Sequence, residues 1–344
     1  MTIARQPCGV LLVGSVPFGS AEEVFRTATA VLGTRLRRMP DGETGERMNW
    51  IGWQLPMLAG HPQFETVPAD PNAYAALPRV KLRARGSAGA IAFGPLGYAD
   101  AARASYAVFS RLRQGGVIPT GCRFQVSLPT PLAPVNVFVV PEDQAVVEPP
   151  YEARLLTELD EIMAAIPHRE LAIQWDVAVE MAIWEGLWRP HFADVKRGVV
   201  ERLVRLGIRV PTDVELGYHL CYGDRQHRHF TQPVDTTNVV EVANAVSAAL
   251  ERPISWIHMP VPRNRNDDSY FAPLRTLQRR PETELYLGLV HFTDGVAGTR
   301  QRIEAAQRVI AEFGVATECG LGRRPPETIP ALLRIHAEVA DQLS

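Results

Sequence analysis

The chain has 344 residues, of which 46% are hydrophobic, so it is long enough to bury one large core. Its formal net charge of −2 offers no basic surplus for nucleic acid and no acidic tail typical of a disordered region. No apolar stretch approaches the roughly 18 residues that span a bilayer, and the N-terminus lacks a signal-peptide pattern. Four scattered cysteines make no disulfide framework. We therefore expect a cytoplasmic protein with neither nucleic acid nor membrane as a partner.

Short apolar runs alternate with longer helical patterns along the chain, which is typical of βα units. The first run covers residues 10–13, and Ser20-Ala21-Glu22-Glu23 after it reads as the capping box of a helix. Further strands are predicted at 35–39, 124–128, 171–177, 214–221, 254–259, 284–291 and 315–319, and helices at 152–165, 192–206, 239–250, 299–313 and 329–343. About eight such strands predict a parallel sheet that either closes into a barrel or stays open and doubly wound.

Two features bear on the choice between a barrel and an open sheet. The first strand is not followed by a G-x-G-x-x-G turn, which disfavours the dinucleotide-binding form of the open sheet. Residues 60–97 are rich in Pro, Gly and Ala, and we interpret them as an irregular excursion at the mouth of a barrel rather than a linker between domains.

The motif His219-Leu220-Cys221 ends one predicted strand, and residues two apart on a strand point to the same side. Cys319 ends another predicted strand, and the carboxyl ends of all strands meet at one mouth of a barrel. One histidine and two cysteines suit a tetrahedral zinc ion with an open position, where a thiol substrate would lose its proton. The alternative is that each cysteine is only a small buried hydrophobic residue.

Other predicted strand ends also carry chemical groups. Gly14-Ser15 follows the first strand, and Asp41-Gly42-Glu43 follows the second. The run Ile173-Gln174-Trp175-Asp176 ends in a carboxylate, and the strand at 254–259 contains His258. The last such segment, residues 288–294, offers His291 and Asp294. Taken alone, the carboxylates Glu43 and Asp176 read as ordinary surface groups.

Two polar loops follow the strands at 214–221 and 254–259. The loop at 224–229, which contains His227 and His229, reads as solvated, with a substrate-lid role second. The loop at 263–268, which contains Arg263, either is a solvated face or binds an anionic group of a substrate.

Together, and in this order, these segments resemble the catalytic C-terminal barrel of cobalamin-independent methionine synthase, within the wider uroporphyrinogen decarboxylase/methionine synthase-like superfamily. The resemblance runs over nearly the whole chain and corresponds to a single-barrel form, without the family's second, N-terminal barrel. It implies that residues 1–344 form one α/β domain, a single (β/α)8 TIM barrel with the excursion at 60–97.

The resemblance also implies roles for residues at the mouth of the barrel. The residues expected to bind the amino acid thiol substrate are Gly14, Ser15, Glu43 and Asp176, with the two carboxylates holding its ammonium group. Either His291 or Asp294 corresponds to the family's proton donor to the leaving group, and the sequence does not decide between them. The pKa of an imidazole is the more suitable one for acid catalysis near neutral pH.

His219, Cys221 and Cys319 match three of the family's four zinc ligands. The fourth, a Glu, is replaced by His258. Imidazole is a sound zinc ligand, so we expect Zn2+ to be held by His219, Cys221, His258 and Cys319. A site with one negative charge fewer should make the bound thiolate less nucleophilic or suit a different electrophile.

These inferences predict a zinc-dependent methyltransferase, similar to 5-methyltetrahydropteroyltriglutamate–homocysteine S-methyltransferase, that activates a homocysteine-like thiol as a zinc thiolate and methylates it. Its partners would be a small-molecule thiol and a methyl or alkyl donor. The donor is open between a folate, a corrinoid and a small methyl-sulfur or methyl-nitrogen compound. Two alternatives remain: a zinc-dependent thiol alkyltransferase of the epoxyalkane:coenzyme M transferase type, and a metal-free uroporphyrinogen decarboxylase-like lyase or binding protein.

Overall fold

The structure, a computed structural model, is described for residues 7–71, 76–84, 91–225 and 228–343. The strands are β1 Arg38–Pro40, β2 Phe64–Val67, β3 Arg79–Leu82, β4 Arg123–Pro129, β5 Leu171–Val177, β6 Glu215–Leu220, β7 Trp256–Pro260, β8 Glu284–Val290 and β9 Gly314–Thr317. The α-helices are α1 Ala21–Leu32, α2 Leu55–Gly60, α3 Tyr98–Gln114, α4 Leu132–Phe138, α5 Pro141–Ala165, α6 Val179–Trp184, α7 Val195–Ile208, α8 Thr237–Ala249, α9 Asp268–Phe271, α10 Gly295–Gln307 and α11 Ile329–Val339. Short 3-10 helices lie at Gly33–Arg35, Gly45–Asn49, Gly52–Gln54, His168–Glu170, Ala272–Thr276 and Pro326–Thr328.

Seven parallel strands form the main sheet, in the order β1-β4-β5-β6-β7-β8-β9. The predicted first strand at 10–13 lies between the two edges of this sheet and forms isolated bridges instead of a regular strand. Val10 bridges to Leu36 on one side and to Val315 on the other. The seven-stranded sheet with this bridging segment is consistent with a TIM-like barrel.

The predicted strands fall close to the observed ones because most are continuous apolar runs, as expected for strands buried on both faces. The prediction at 171–177 coincides with β5, all of whose residues are buried. The capping box is confirmed, since Ser20 is the N-cap of α1 and its side chain accepts a hydrogen bond from Glu23 N at 3.3 Å. The helix predicted at 152–165 is part of the longer α5, which begins at Pro141.

The excursion at 60–97 is not irregular throughout. It contains a two-stranded antiparallel sheet in which Phe64 in β2 pairs with Leu82 in β3. Leu82 N also donates to Asp143 Oδ2 at 2.8 Å, which ties this small sheet to α5. Residues 72–75 and 85–90 of the excursion lie outside the described residues.

Across the part of the chain that is described, each helix is too short or too polar to cross a membrane.

Candidate metal centre and substrate pocket

A histidine and two cysteines meet at the carboxyl ends of β6 and β9. His219 lies in β6, Cys221 follows it, and Cys319 follows β9. The Sγ atoms of Cys221 and Cys319 are 3.6 Å apart. One potential ligand atom from each of the three residues lies within 4.8 Å of the others, so this cluster can hold a metal ion. Gly223 N donates to Cys221 Sγ at 3.3 Å, which helps to fix the position of that sulfur.

His258 is not brought into this cluster. Its Nδ1 lies 2.7 Å from Nδ1 of His219, and its Nε2 lies 3.0 Å from the carbonyl oxygen of Thr317. Burial lowers the pKa of His258 to about 4, and burial with the neighbouring His258 lowers the pKa of His219. His219 Nε2 is buried and has no hydrogen-bond partner among the residues that the structure describes. That atom is therefore available as a ligand.

The three residues of the cluster line part of a cavity. The cavity is also lined by the four predicted substrate-binding residues, Gly14, Ser15, Glu43 and Asp176. Burial and the nearby Asp176 and Asp41 raise the pKa of Glu43. Burial also raises the pKa of Asp176, against hydrogen bonds from Gln174 and Trp50. Two carboxylates with raised pKa values in one cavity are suited to bind a cationic group.

Local packing explains the sequence Gly14-Ser15 in the loop that follows residues 10–13. A Cβ atom on Gly14 would lie 2.4 Å from Glu43 Oε1, so a side chain at this position would displace that carboxylate. Ser15 Oγ accepts a hydrogen bond from Gly322 N at 3.2 Å, and Ser15 O accepts one from Leu321 N at 2.6 Å. Ser15 therefore holds the loop that carries Cys319.

The two candidate proton donors lie in different surroundings, and neither lines the first cavity. His291 lines a second, more open cavity. Its Nε2 is 2.9 Å from Val261 O, and burial lowers its pKa despite the nearby Glu318. Asp294 instead accepts two hydrogen bonds from Arg302, at 2.6 and 2.9 Å, and this pairing keeps its pKa low although burial opposes it. A carboxylate held in this way is a poor proton donor.

The second cavity contains residues that sequence reasoning interpreted differently. His229 is not solvated, because its side chain is 4% exposed and its Nε2 lies 3.2 Å from Glu318 Oε2. His227 lies outside the described residues. Arg263 and Arg324 line the same cavity, so the loop at 263–268 does contribute to a concave site. Glu318 directly precedes Cys319, which makes the two cavities neighbours.

The residues of the first cavity that sequence reasoning did not assign to the site include Trp50, Asp224 and Arg323. Arg323 follows Cys319-Gly320-Leu321-Gly322 directly, and this proximity to a predicted ligand is a signal that could have indicated it. Trp50 directly follows the 3-10 helix Gly45–Asn49, and Asp224 lies in an irregular loop. Neither residue therefore belongs to a periodic hydrophobic pattern in the sequence.

The comparison with solved structures concerns the fold of the chain. The chain is similar in structure to a B12-independent methionine synthase from Shewanella sp. W3-18-1, solved in complex with selenomethionine. The TM-score is 0.63, and the similarity covers 97% of this chain and 98% of that one. Sequence identity is 14%, so the likeness shows the fold alone. No protein-family model matches the chain, and no curated protein matches it.

Proposed function

We propose that this protein is a zinc-dependent methyltransferase that methylates the sulfur of an amino acid-like thiol such as homocysteine. The observation that carries the proposal is that one cavity is lined both by the His219, Cys221 and Cys319 cluster and by the carboxylates Glu43 and Asp176. A molecule with a thiol at one end and an ammonium group at the other matches that pair of features.

The three donors fit zinc. Zinc–sulfur bonds of about 2.3 Å in a tetrahedral shell place two sulfurs about 3.8 Å apart, close to the 3.6 Å between Cys221 and Cys319. Three protein ligands leave one position open, as in catalytic zinc sites. A zinc ion held there would lower the pKa of a thiol substrate, so that the sulfur reacts as a thiolate.

Residues of the chain would hold the substrate by its other end. Glu43 and Asp176 would accept hydrogen bonds from the ammonium group, whose positive charge would compensate their negative charges. Gly14 leaves room for Glu43, and Ser15 fixes the loop of Cys319. Together these contacts would hold the substrate with its sulfur at the metal cluster.

The second cavity is suited to the methyl donor. His291 lines it and would donate the proton that the leaving group needs, whereas the pairing of Asp294 with Arg302 speaks against Asp294 in that role. Arg263 and Arg324 line the same cavity and favour a donor that carries an acidic group. Because Glu43 and Asp176 both line the first cavity, it favours a thiol with an amino group over a thiol with a sulfonate.

Two measurements test this proposal. Elemental analysis of protein purified without a metal-affinity tag should find zinc, which Cys319→Ala should remove and Cys122→Ala should keep, because the buried Cys122 lies outside the cluster. Calorimetry on the zinc-loaded protein should show that homocysteine binds more tightly than 4-mercaptobutyrate, which lacks the amino group. Equal binding of the two thiols would reject the role of the carboxylates, and protein without zinc would reject the metal centre.

The reaction itself needs a panel of electrophiles. Zinc-loaded protein with homocysteine should consume the thiol when methyl donors are supplied, and mass spectrometry should detect the methylated product. Consumption with epoxides alone would instead assign the protein to the thiol alkyltransferases that open such rings.

A further inference from the structure

The two buried imidazoles behind the metal cluster form a directed chain of hydrogen bonds. His219 Nδ1 faces His258 Nδ1 at 2.7 Å, with the ring planes inclined by 49°. His258 Nε2 faces the carbonyl oxygen of Thr317 at 3.0 Å. His258 is 0% exposed and His219 is 2% exposed, so water does not compete for these contacts.

Only one arrangement of protons satisfies this chain. A carbonyl oxygen can only accept, so His258 Nε2 must carry a hydrogen. A charged His258 would be buried without a carboxylate at either nitrogen among the described residues, so the ring is neutral and its Nδ1 has a lone pair. Of two nitrogens 2.7 Å apart one must donate, which makes His219 Nδ1 the donor and leaves a lone pair on His219 Nε2.

That lone pair is free to bind a metal. His219 Nε2 is buried and has no hydrogen-bond partner within the described part of the chain, and His219 belongs to the cluster with Cys221 and Cys319. Thr317 also donates from its Oγ1 to Cys319 O at 2.7 Å. The chain of contacts therefore links His219 on β6, through His258 on β7, to the segment that carries Cys319.

We propose that His258 is a positioning residue, not a fourth ligand: it fixes His219 as the tautomer whose Nε2 binds the metal, and it ties that ring to the backbone next to Cys319. The inference rests on the metal centre of the proposed function. Metal-bound histidines commonly donate their second N–H to such an outer partner, and its removal lowers metal affinity by about 10–100-fold. An imidazole as that partner leaves the fourth position of the metal open for the thiol.

The tautomer can be tested on the full-length protein without metal. Histidine-selective 15N labelling covers only nine histidines, and resonances can be assigned with single variants. We expect the Nδ1–H form for His219 and the Nε2–H form for His258. In His258→Ala the preference of His219 for Nδ1–H should disappear. An Nε2–H form of His219 in the unmodified protein would overturn the proposal, whether or not zinc binds.

The ligand count can be tested with zinc alone. X-ray absorption of the zinc-loaded protein should show two sulfurs and one imidazole, and His258→Ala should keep that shell while competition with a chelator shows about 10–100-fold weaker binding. His258→Asn keeps an acceptor for His219 and should recover part of the lost affinity. His336→Ala, another fully buried histidine that is remote in the chain, is the control for lost packing and should leave zinc affinity unchanged.

The outcomes separate the two proposals. Two imidazoles in the unmodified protein and one in His258→Ala would make His258 a ligand and overturn its positioning role. Unchanged affinity in His258→Ala would overturn that role as well. Failure of the unmodified protein to bind zinc would instead reject the proposed metal centre, and the nitrogen spectra would still decide the tautomers.

Discussion

Glu43 and Asp176 face the same cavity, and the pKa of each is raised above its ordinary value, chiefly because burial disfavours the charged form. Gln174 donates to Asp176 Oδ1 at 2.9 Å, which orients that carboxylate without neutralising it. A cationic ligand between the two groups would favour their ionised forms and be held by them. At the scale of residues, we therefore expect the pocket to prefer a group that carries positive charge.

Replacing either carboxylate by its amide should weaken binding of an amino acid thiol. Hydrogen bonds to charged groups contribute about 1.5–3 kcal/mol, so we expect Glu43→Gln and Asp176→Asn each to lower homocysteine affinity about tenfold to 100-fold. Binding of 4-mercaptobutyrate should change little, because it has no ammonium group. Calorimetry checks both ligands. Glu180→Gln, a buried carboxyl that does not line the cavity, is the control, and a similar loss there would contradict this assignment.

Glu180 itself should make the stability of the protein depend on pH. Burial raises the pKa of Glu180 from 4.5 to about 7. Between these two pH values the folded chain therefore keeps a proton that the unfolded chain has lost. The free energy of unfolding should therefore fall as pH rises from about 4.5 to 7, by roughly 3 kcal/mol from this residue. Urea unfolding should show that Glu180→Gln removes this part of the slope. The exposed Glu251→Gln should leave it unchanged, and equal slopes in all three proteins would contradict the prediction.

At the scale of elements, β6 matters most, because it carries His219 and leads into Cys221. Its middle residue, Gly217, lies against the fully buried ring of Trp256 on the neighbouring strand β7. A Cβ atom on Gly217 would approach that ring to 1.9 Å. The glycine therefore lets β6 and β7 pack closely enough to bring His219 beside His258.

Gly217→Ala should both destabilise the protein and disturb the metal centre. Overpacking of a buried site costs about 1–3 kcal/mol, and a displaced β6 should also bind zinc more weakly. Gly60→Ala is the matched control, since Gly60 ends α2 and an added Cβ would meet nothing within 4 Å. Its stability should be unchanged or higher by up to about 1 kcal/mol. Denaturant unfolding and zinc competition check both variants, and indistinguishable results would refute the close-packing argument.

Elements with a strong local pattern could be predicted from the sequence, and those that depend on tertiary contacts could not. The apolar run of β5 was found with its observed bounds because continuous burial leaves a clear signal. α5 was predicted too short because Pro149 and Pro150 normally end a helix, whereas here buried residues on both sides, including Val147 and Tyr151, are packed against the core.

The candidate site shows the same division. His219 and Cys221 could be predicted as a pair, because a strand places residues two apart on one side. The contact of His258 with His219, instead of with the metal cluster, depends on the register of two strands, which pairs these two residues directly. The burial of His229 against Glu318 depends on the path of a loop, for which the sequence has no periodic signal.

At the scale of the whole molecule, an ion cluster around the buried Arg38 spans the interior of the curved sheet at the end opposite the site. Arg38 on β1 donates to Glu215 on β6 at 2.5 Å and to Glu284 on β8 at 2.7 Å. Strands β4 and β5 separate β1 from β6 in the sheet, so these bonds cross the interior instead of following neighbouring strands. The guanidinium also lies over the ring of Trp256 at 4.3 Å, which makes Arg38 a contact shared by distant parts of the sheet.

Arg38→Met should therefore lower the stability of the whole fold without removing the metal. The loss should be about 3 kcal/mol, the lower end of the range for a broken buried ion pair, because Glu215 keeps a contact with Arg123 and Glu284 keeps one with Arg37. The neighbouring Arg37 pairs with the same Glu284 at 3.1 Å but is 49% exposed, so Arg37→Met should cost at most about 1 kcal/mol. Urea unfolding measures both losses, and zinc content should stay constant in both variants because the cluster with Glu215 lies at the far end of β6 from His219. Equal losses of stability from Arg37→Met and Arg38→Met would mean that burial of the guanidinium does not matter for the free energy of unfolding. Loss of zinc in Arg38→Met would show that closure of the sheet and assembly of the metal centre are coupled.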